Sequence, residues 1–434
     1  MGMEAVFTAL AVLGLMLAYL AMGIWIFAAL LLVAITSLYF LAGFFLDRVG
    51  FIMQSVTWSA ATRWELSAIP MFVWMGELMF RTDISKRLFN GLAPLVSFLP
   101  GRLLHVNILG CTLFAAVSGS SAATTATVGK ITTGELLKRG YARDISIGSL
   151  AGAGSLGLLI PPSVVMIVYG VLGEVSITKL FLAGVIPGLM IAGIYSLYII
   201  GVSIFQGGTT PPDEPRYSAR DYANALVTLA PVILLIGCVL GVLYSGVATP
   251  SEAGAVGVGV SLVVILVTGQ FSLRLIAESV QAAVVTSAML CSILIAASFM
   301  STAMGYLHIP STIAAAIADL DLGPYGLILM LSLFYLLLGM FLEGTSITVM
   351  TLPITLPLAV AAGWDPVWFG IFLVVMVEMA QITPPVGFNL FILQSQTGDS
   401  IVRVARASFP FFLLMCLATV ILVAFPEIAL WLTR

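Results

Sequence analysis

Clusters of small hydroxyl residues and pairs of prolines are the parts of this sequence best suited to chemistry. Gly-Ser-Ser at 119–121 precedes Pro161-Pro162, and Gly-Thr-Ser at 344–346 precedes Pro384-Pro385. A proline pair removes two amide donors and forces the preceding residues out of helical geometry, which frees backbone carbonyl oxygens. Freed carbonyls, together with hydroxyls such as that of Thr383, form a suitable cage for a small cation such as sodium.

The helix starts that follow the proline pairs offer a second kind of chemistry. Amide groups and the helix dipole at such a start favour an anion. Fixed positive charge is absent near the breaks, so we expect anion recognition to depend on amides and hydroxyls. The candidate substrate-binding residues are Ser121, Thr124, Ser163, Thr345 and Asn389.

Carboxylates inside apolar segments form a third group of candidates. Glu343 borders the second cluster and Glu378 lies just before the second proline pair, where either can set sodium affinity or relay protons. The alternative is that these side chains sit at helix ends or pair with backbone donors. That alternative is the stronger one for Glu77 and Glu252.

The spacing of these motifs predicts an internal repeat. An isolated proline commonly does no more than kink a membrane helix. Here each cluster precedes its proline pair at nearly the same distance, 42 positions in one case and 40 in the other. The two clusters are 225 positions apart, the proline pairs are 223 apart, and so are Pro187 and Pro410.

Basic residues predict that the two repeats have opposite orientations in the membrane. Between cluster and proline pair the first repeat is rich in lysine and arginine, and its counterpart around 361–367 has neither; after the proline pairs the bias reverses. Between cluster and proline pair, the first repeat carries Lys130, Lys138, Arg139 and Arg143. After the proline pair, the first repeat carries Lys179 alone, whereas the second repeat carries Arg403 and Arg406. Because basic loops prefer the cytoplasm, the pattern indicates an inverted repeat around discontinuous helices, a transporter architecture.

The elements that position these residues must be membrane helices. Of the 434 residues, 61% are hydrophobic and only 9% are charged, whereas soluble domains are about 25% charged. The length allows about a dozen membrane crossings. The apolar stretch from Ala5 to about Leu46 is too long for a cleaved signal peptide and predicts one long or two short helices, broken near Gly23.

We therefore predict an all-α polytopic membrane protein, an inverted-repeat transporter with two re-entrant hairpins and two broken helices. Unpaired backbone groups are costly in lipid, so each break must face protein or a wet cavity. The predicted ranges are a first half at 1–205 with hairpin 1 at about 103–134 and a broken helix at about 145–173, a polar linker at 206–222, and a second half at 223–434 with hairpin 2 at about 323–362 and a broken helix at about 367–396.

Several other functions are disfavoured. The four cysteines are far apart and the two histidines lack companions at ligand spacing, which argues against a disulfide or a transition-metal site. A net charge of −3 argues against nucleic acid as a partner. There is no GxxxxGK[ST] loop for ATP, and no histidine partners the serines as a protease would require. A passive channel would need a polar stripe along whole helices.

Seven segments resemble the large membrane subunit of tripartite ATP-independent periplasmic (TRAP) transporters, the DctM-like family. They run collinearly from about residue 65 to 400 and together are specific. The segments are SerAlaIleProMetPhe (67–72), LeuPheAlaAlaValSerGlySerSerAla (113–122), LeuLysArgGlyTyr (137–141), GlyLeuLeuIleProProSer (157–163), AlaThrProSerGluAlaGlyAlaVal (248–256), GlyMetPheLeuGluGlyThrSer (339–346) and GlnIleThrProProValGlyPheAsn (381–389).

The resemblance implies an elevator-type transport domain that moves against a scaffold, with sodium as the coupling ion and no other cofactor. Some family members place an aspartate shortly after Gly-Ser-Ser, whereas residues 122–125 supply none, which puts an additional sodium site in doubt. The implied sodium ligands are Ser118, Gly119, Ser120 and Ser121 with Gly157, Ile160 and Pro162, and Gly344, Thr345 and Ser346 with Gln381, Thr383 and Pro385.

The resemblance also implies two protein partners, a small four-helix membrane subunit and a periplasmic substrate-binding protein. The expected function is sodium-driven import of an organic acid, such as a C4-dicarboxylate, across the bacterial inner membrane. The alternative is a self-sufficient ion-coupled carboxylate carrier or antiporter of similar inverted-repeat fold, which would need no binding protein.

Overall fold

The computed structural model describes residues 3–206, 208–211, 217–318, 323–340, 342–384 and 387–434. Regular structure in these ranges is helical, as expected where lipid cannot hydrogen-bond to the backbone. Within the described ranges, six helices are long and apolar enough to cross a membrane, and shorter apolar helices accompany them. The chain is a multi-pass helical membrane protein.

The helices, in chain order, are α1 Met3–Ala21, α2 Ile26–Phe40, α3 Leu46–Ala61, α4 Ala68–Phe80, α5 Ile84–Val96, α6 Leu104–Ser118, α7 Ser121–Lys138, α8 Arg143–Gly154, α9 Val164–Gly173, α10 Ile177–Phe205, α11 Ala219–Tyr244, α12 Pro250–Val267, α13 Leu273–Tyr306, α14 Ile309–Ala318, α15 Gly323–Gly339, α16 Gly344–Ala361, α17 Pro366–Gln381, α18 Phe388–Thr397, α19 Ile401–Ala424 and α20 Glu427–Leu430. Short 3₁₀ turns occupy Trp64–Ser67 and Trp431–Thr433.

The N-terminal apolar stretch forms two helices, α1 and α2. They are separated at Gly23, whose φ of +76° is a conformation that glycine adopts at no steric cost. The predicted break near this residue is confirmed.

Two helices, α3 and α5, lie in stretches too polar to be predicted as membrane spans. α5 is amphipathic: Leu88 and Leu92 are buried, whereas Lys86 is exposed. Its buried face packs against α11, and a Cβ at Gly91 would lie only 2.6 Å from the Cγ atom of Leu229. The small residue therefore permits close contact between the two helices.

Contacts between helices define two groups. In the first group α13 packs against α2, α3 and α4, and α12 packs against α4 and α11. The second group contains α6 to α10 and α15 to α19. The two groups also touch: α5 contacts α11 as well as α6 and α7, α14 contacts α1 as well as α16, and α4 of the first group packs against α6 and α9 of the second.

The second group is assembled from both parts of the sequence. α18 packs against α7, and α9 packs against α16. The Tyr169 hydroxyl near the end of α9 donates to the Pro366 carbonyl at the start of α17 (2.6 Å). Arg143 at the start of α8 donates through Nε to Asp399, just after α18 (3.0 Å). The segments α8–α9 and α17–α18 therefore run antiparallel to each other.

α11 begins at Ala219, inside the stretch predicted as a linker up to residue 222. Its start is fixed by a capping box, in which the Ser218 hydroxyl accepts from the Asp221 amide and the Asp221 carboxylate accepts from the Ser218 amide. The box satisfies two amides at the helix start, so the helix begins before the last polar residues of that stretch.

Candidate functional site

The first candidate site begins at the junction of α6 and α7. α6 ends at Ser118, Gly119 has a φ of +59°, and α7 begins at Ser121 with Ser120 as its N-cap. A Cβ at Gly119 would lie 2.8 Å from the Pro162 carbonyl oxygen. Only glycine lets this junction turn while touching the proline pair.

The break between α8 and α9 closes around the same junction. A Cβ at Gly157 would lie 2.6 Å from the Ser121 amide nitrogen, and the Val164 amide donates to the Gly119 carbonyl (3.4 Å). Among the described residues, no N–H or O–H group donates to the carbonyls of Gly157, Ile160 or Pro162. Gly157 and Pro162 are thus brought against the predicted ligands of the junction, and their carbonyl oxygens lack donors among the described residues.

The second candidate site has a looser geometry. α16 begins at Gly344, and a Cβ there would lie 3.3 Å from the Gln381 side-chain nitrogen at the end of α17. The Thr383 hydroxyl donates to the Met379 carbonyl (2.7 Å), and the Thr383 carbonyl accepts from the Gly387 amide (3.1 Å). Thr345 and Ser346 are buried in the first turn of α16, and Pro385 lies outside the described residues.

Glu343 caps the start of α16 and does not enter the site as a free carboxylate. It accepts hydrogen bonds from the amides of Thr345 (3.0 Å) and Ser346 (3.4 Å), and from the Thr345 hydroxyl (3.1 Å). Glu343 therefore follows the alternative interpretation, in which the carboxylate sits at a helix end or pairs with backbone donors. It holds equally for Glu252, which caps α12 with Thr249, and for Glu77, which pairs with Arg81.

Glu378 is fully buried, and its partners belong to the other break. α17 is buried from Val367 to its end. From there the carboxylate accepts from the Leu158 amide and lies 2.9 Å from the Ser121 hydroxyl. No ion-pair partner of Glu378 is found within the described ranges. The Glu378 carboxyl links α17 to both parts of the first candidate site.

Ser121 and Asn389, two predicted substrate residues, are in direct contact. The Asn389 side-chain amide donates to the Ser121 hydroxyl (2.8 Å), which also lies 2.8 Å from the Gly154 carbonyl. The other three are engaged locally: Thr124 pairs with the Ser118 hydroxyl (2.8 Å), Ser163 is the N-cap of α9, and Thr345 bonds to Glu343.

Four helix starts supply the electrostatics of this region. The starts of α7 and α9 meet where Val164 bonds to Gly119, and the first turn of α18 reaches α7 through Asn389. A Cβ at Gly344, at the start of α16, would lie 3.5 Å from the Leu158 side chain. Each start carries partial positive charge, so the arrangement suits an anion beside the carbonyl oxygens that lack donors among the described residues.

Known proteins are similar to this chain over most of its length. Residues 13–428 match the family model of the tripartite ATP-independent periplasmic transporter, DctM component. The C4-dicarboxylate TRAP transporter large permease protein DctM of Pseudomonas aeruginosa is 34% identical over 371 residues, which cover 84% of this chain and 85% of that protein. The isethionate TRAP transporter permease protein DctMQ of Oleidesulfovibrio alaskensis is 31% identical, over 95% of this chain and 64% of that longer protein.

A solved structure supports the fold alone. The crystal structure of the Alcanivorax borkumensis YdaH transporter superposes with a TM-score of 0.65 at 14% identity, covering 89% of each chain. The matched family consists of transporter permeases and not of enzymes. The antiparallel broken helices, the glycine-containing junctions beside them and the match over nearly the whole chain lead to one conclusion: the protein belongs to the DctM family of TRAP transporter large permeases.

Proposed function

We propose that this protein is the large permease subunit of a TRAP transporter that imports an organic acid across the bacterial inner membrane, driven by a sodium gradient. The observation that carries the proposal is the first break. There, carbonyl oxygens that lack donors among the described residues face a glycine-serine junction, and no lysine or arginine in that part of the chain forms an ion pair with the buried Glu378.

Sodium suits this first site because it is bound by oxygen atoms and needs no ionised ligand. The carbonyls of Gly157, Ile160 and Pro162 are available, and Ser118 and Ser120 add hydroxyls at the junction. At the second break, Gln381 and the Thr383 hydroxyl would supply oxygens beside Gly344. We propose one sodium site at each break.

An anionic substrate is supported by the helix starts and by the relatives. The starts of α7, α9, α16 and α18 converge on the region between the two breaks. The two relatives compared above are named for a C4-dicarboxylate and for isethionate, which are both small organic acid anions. We propose a small organic acid, with a carboxylate as the first choice to test, bound by Ser121, Asn389 and the neighbouring amides.

A moving transport unit is supported by the division into two helix groups. The second helix group holds both breaks, and it meets the first group through α5 and α14 and through the contacts of α4 with α6 and α9. We propose that the second group is an elevator-type transport domain and the first a scaffold. The junctions α6–α7 and α15–α16 are its two re-entrant hairpins.

The inverted repeat is supported by the spacing of helix starts. α16, α17, α18 and α19 begin 223 or 224 positions after α7, α8, α9 and α10 respectively. Two copies of one repeat that enter the membrane in opposite orientations would pack antiparallel, as these helices do.

We propose two partners, a small four-helix membrane subunit and a periplasmic substrate-binding protein. The family name specifies a three-part transporter, and the isethionate relative is a longer protein of which this chain covers 64%. The proposal places substrate choice largely in the periplasmic protein.

The test is uptake of a labelled panel of organic acids into proteoliposomes that contain this chain and its small partner. Each compound is tried with and without the periplasmic protein, and with and without an inward sodium gradient. Uptake that requires both would support the proposal and identify the substrate. Uptake that ignores the periplasmic protein would favour a self-sufficient carrier, and uptake that ignores sodium would remove sodium as the coupling ion.

A further inference from the structure

A basic pocket lies between α5 and α7, away from both breaks. Its volume is about 390 Å³, and its walls include Lys86 and Asn90 from α5 and Lys130, Lys138 and Arg139 from α7 and its C-terminal end. Glu135 is its one carboxylate, and it lies 3.6 Å from Arg139. The pocket therefore carries a surplus of positive charge.

Two of the lysines have no compensating carboxylate. Neither Lys130 nor Lys138 forms an ion pair within the described residues, and both are exposed. Lys86 lies 3.8 Å from Asp83, but both side chains are largely exposed, so water weakens the pairing. Three ammonium groups and the Asn90 amide are thus available to hold an anion with several oxygens.

The surroundings of the pocket indicate a lipid and not only a dissolved ion. Phe89 and Ile131 supply an apolar part of the wall. α5 is amphipathic and is followed by Phe98, whose side chain is 75% exposed, as expected of a ring that enters a bilayer. Basic pockets between membrane helices bind the headgroups of anionic lipids.

We propose that this pocket binds the phosphate group of an anionic phospholipid. The site joins α5, which packs on the first helix group, to α7, which belongs to the second. A lipid held there contacts both groups at the surface of the membrane.

The experiment is native mass spectrometry of the purified full-length chain with phosphatidylglycerol, with phosphatidylcholine, and with inorganic phosphate. We expect the chain to retain phosphatidylglycerol in preference to phosphatidylcholine, and inorganic phosphate at the same concentration not to displace it. Lys130→Gln combined with Lys138→Gln should weaken retention about thirtyfold, because each lysine near an anionic surface contributes about 1 kcal/mol and about 1.4 kcal/mol is a tenfold change. Lys179→Gln, an exposed lysine on a different helix, is the matched control and should leave retention unchanged.

Three outcomes would overturn the proposal. Equal retention by the double variant and the parent chain would place the lipid elsewhere. Displacement by inorganic phosphate would make the pocket a site for a free anion. Loss of the lipid when the small membrane subunit is added would assign the pocket to that protein. Glutamine is similar to lysine in side-chain shape, so we expect these exposed substitutions to leave folding unchanged. The melting temperature of each variant checks this. Lys86→Gln provides a second variant.

Discussion

Glu378 places a carboxyl group of α17 against polar groups that come from a distant part of the chain. The Leu158 amide and the Ser121 hydroxyl both depend on it, and Ser121 in turn contacts Asn389 and Gly154. Buried polar groups without partners cost about 1–3 kcal/mol each. This small network therefore holds the first junction, the first break and α17 in a fixed arrangement.

Replacing Glu378 tests that network directly. Glu378→Ala should lower the thermal midpoint by several degrees, because it leaves the Leu158 amide without a partner at about 1–3 kcal/mol and removes one contact of the Ser121 hydroxyl, which keeps Gly154 and Asn389. Glu378→Gln should lose less, since its amide offers an acceptor to Leu158 and a donor to Ser121. The measurement is thermal unfolding of the purified chain in detergent. Equal losses in the two variants would contradict the assigned contacts.

Thr383 tests the second proposed sodium site. Thr383→Ala should raise the sodium concentration for half-maximal uptake about tenfold, as loss of one ligand oxygen worth about 1.4 kcal/mol would. Thr383→Ser should leave it unchanged. Thr36→Ala is the control, because the Thr36 hydroxyl also bonds to the carbonyl four residues back (2.6 Å) but lies in α2. An unchanged sodium dependence in Thr383→Ala would remove this residue from the site.

Local motifs were sufficient to predict the helix breaks but not the partners of the glutamates. The junction at Gly119 and the first proline pair follow from backbone chemistry that is visible in the sequence. The contact between Ser121 and Glu378 spans 257 positions and depends on how α17 packs, which no local pattern specifies. Conversely, Glu343 lies beside a cluster of interest and yet only caps its own helix.

Helix packing in the second group depends on small residues of α8. A Cβ at Gly152 would lie 2.6 Å from Cδ1 of Phe411 in α19. A Cβ at Gly148, one turn earlier in α8, would collide with the Ala407 carbonyl oxygen, which is also in α19. Glycines four positions apart allow close approach of two membrane helices. These two residues thus allow α8 to pack tightly against α19.

Gly152→Val should force α8 away from α19 and cost about 1–3 kcal/mol, as overpacking does. We expect lower yield of folded protein and a lower melting temperature by fluorescence-detected size exclusion. Gly193→Val in α10 is the matched control, because no atom lies within 4 Å of a Cβ built there. If both variants behave alike, the small residues of α8 do not set the packing.

Hydropathy predicted the long spans well and the amphipathic elements poorly. α3 and α5 mix charged and apolar residues, so a search for continuous apolar runs passes over them. Their helical form depends on packing against α13 and α11. The start of α11 was placed too late for a related reason, since its first turn is polar and is fixed by the capping box at Ser218.

At the scale of the whole molecule, ion pairs place two basic segments on one face. Arg143 pairs with Asp399 (3.0 Å), and Arg403 pairs with Asp144 (2.9 Å). The loops before α8 and after α18 therefore meet. On the opposite end of the broken helices, Arg63 pairs with Glu174 after α9 (2.7 Å). The basic-loop rule then places the first face in the cytoplasm.

Single cysteines test that orientation once the four native cysteines are replaced. A cysteine at Lys138 should react with a membrane-impermeant maleimide only after the inner membrane is opened, and one at Glu174 should react in intact spheroplasts. Both positions are exposed, so access depends on the side of the membrane and not on burial. Labelling of both positions in intact spheroplasts would contradict the placement of the two ends of α8–α9 on opposite sides of the membrane.

The packing of α18 on α7 and of α9 on α16 has a consequence for how the protein is made. Ser121 leaves the ribosome 257 residues before Glu378 does. At 5–20 residues per second that delay is roughly 13 to 50 s. During this interval the unfinished chain holds polar groups in the membrane whose final partners do not yet exist. Water or temporary partners must satisfy them until then, because an unpaired polar group in lipid costs several kcal/mol.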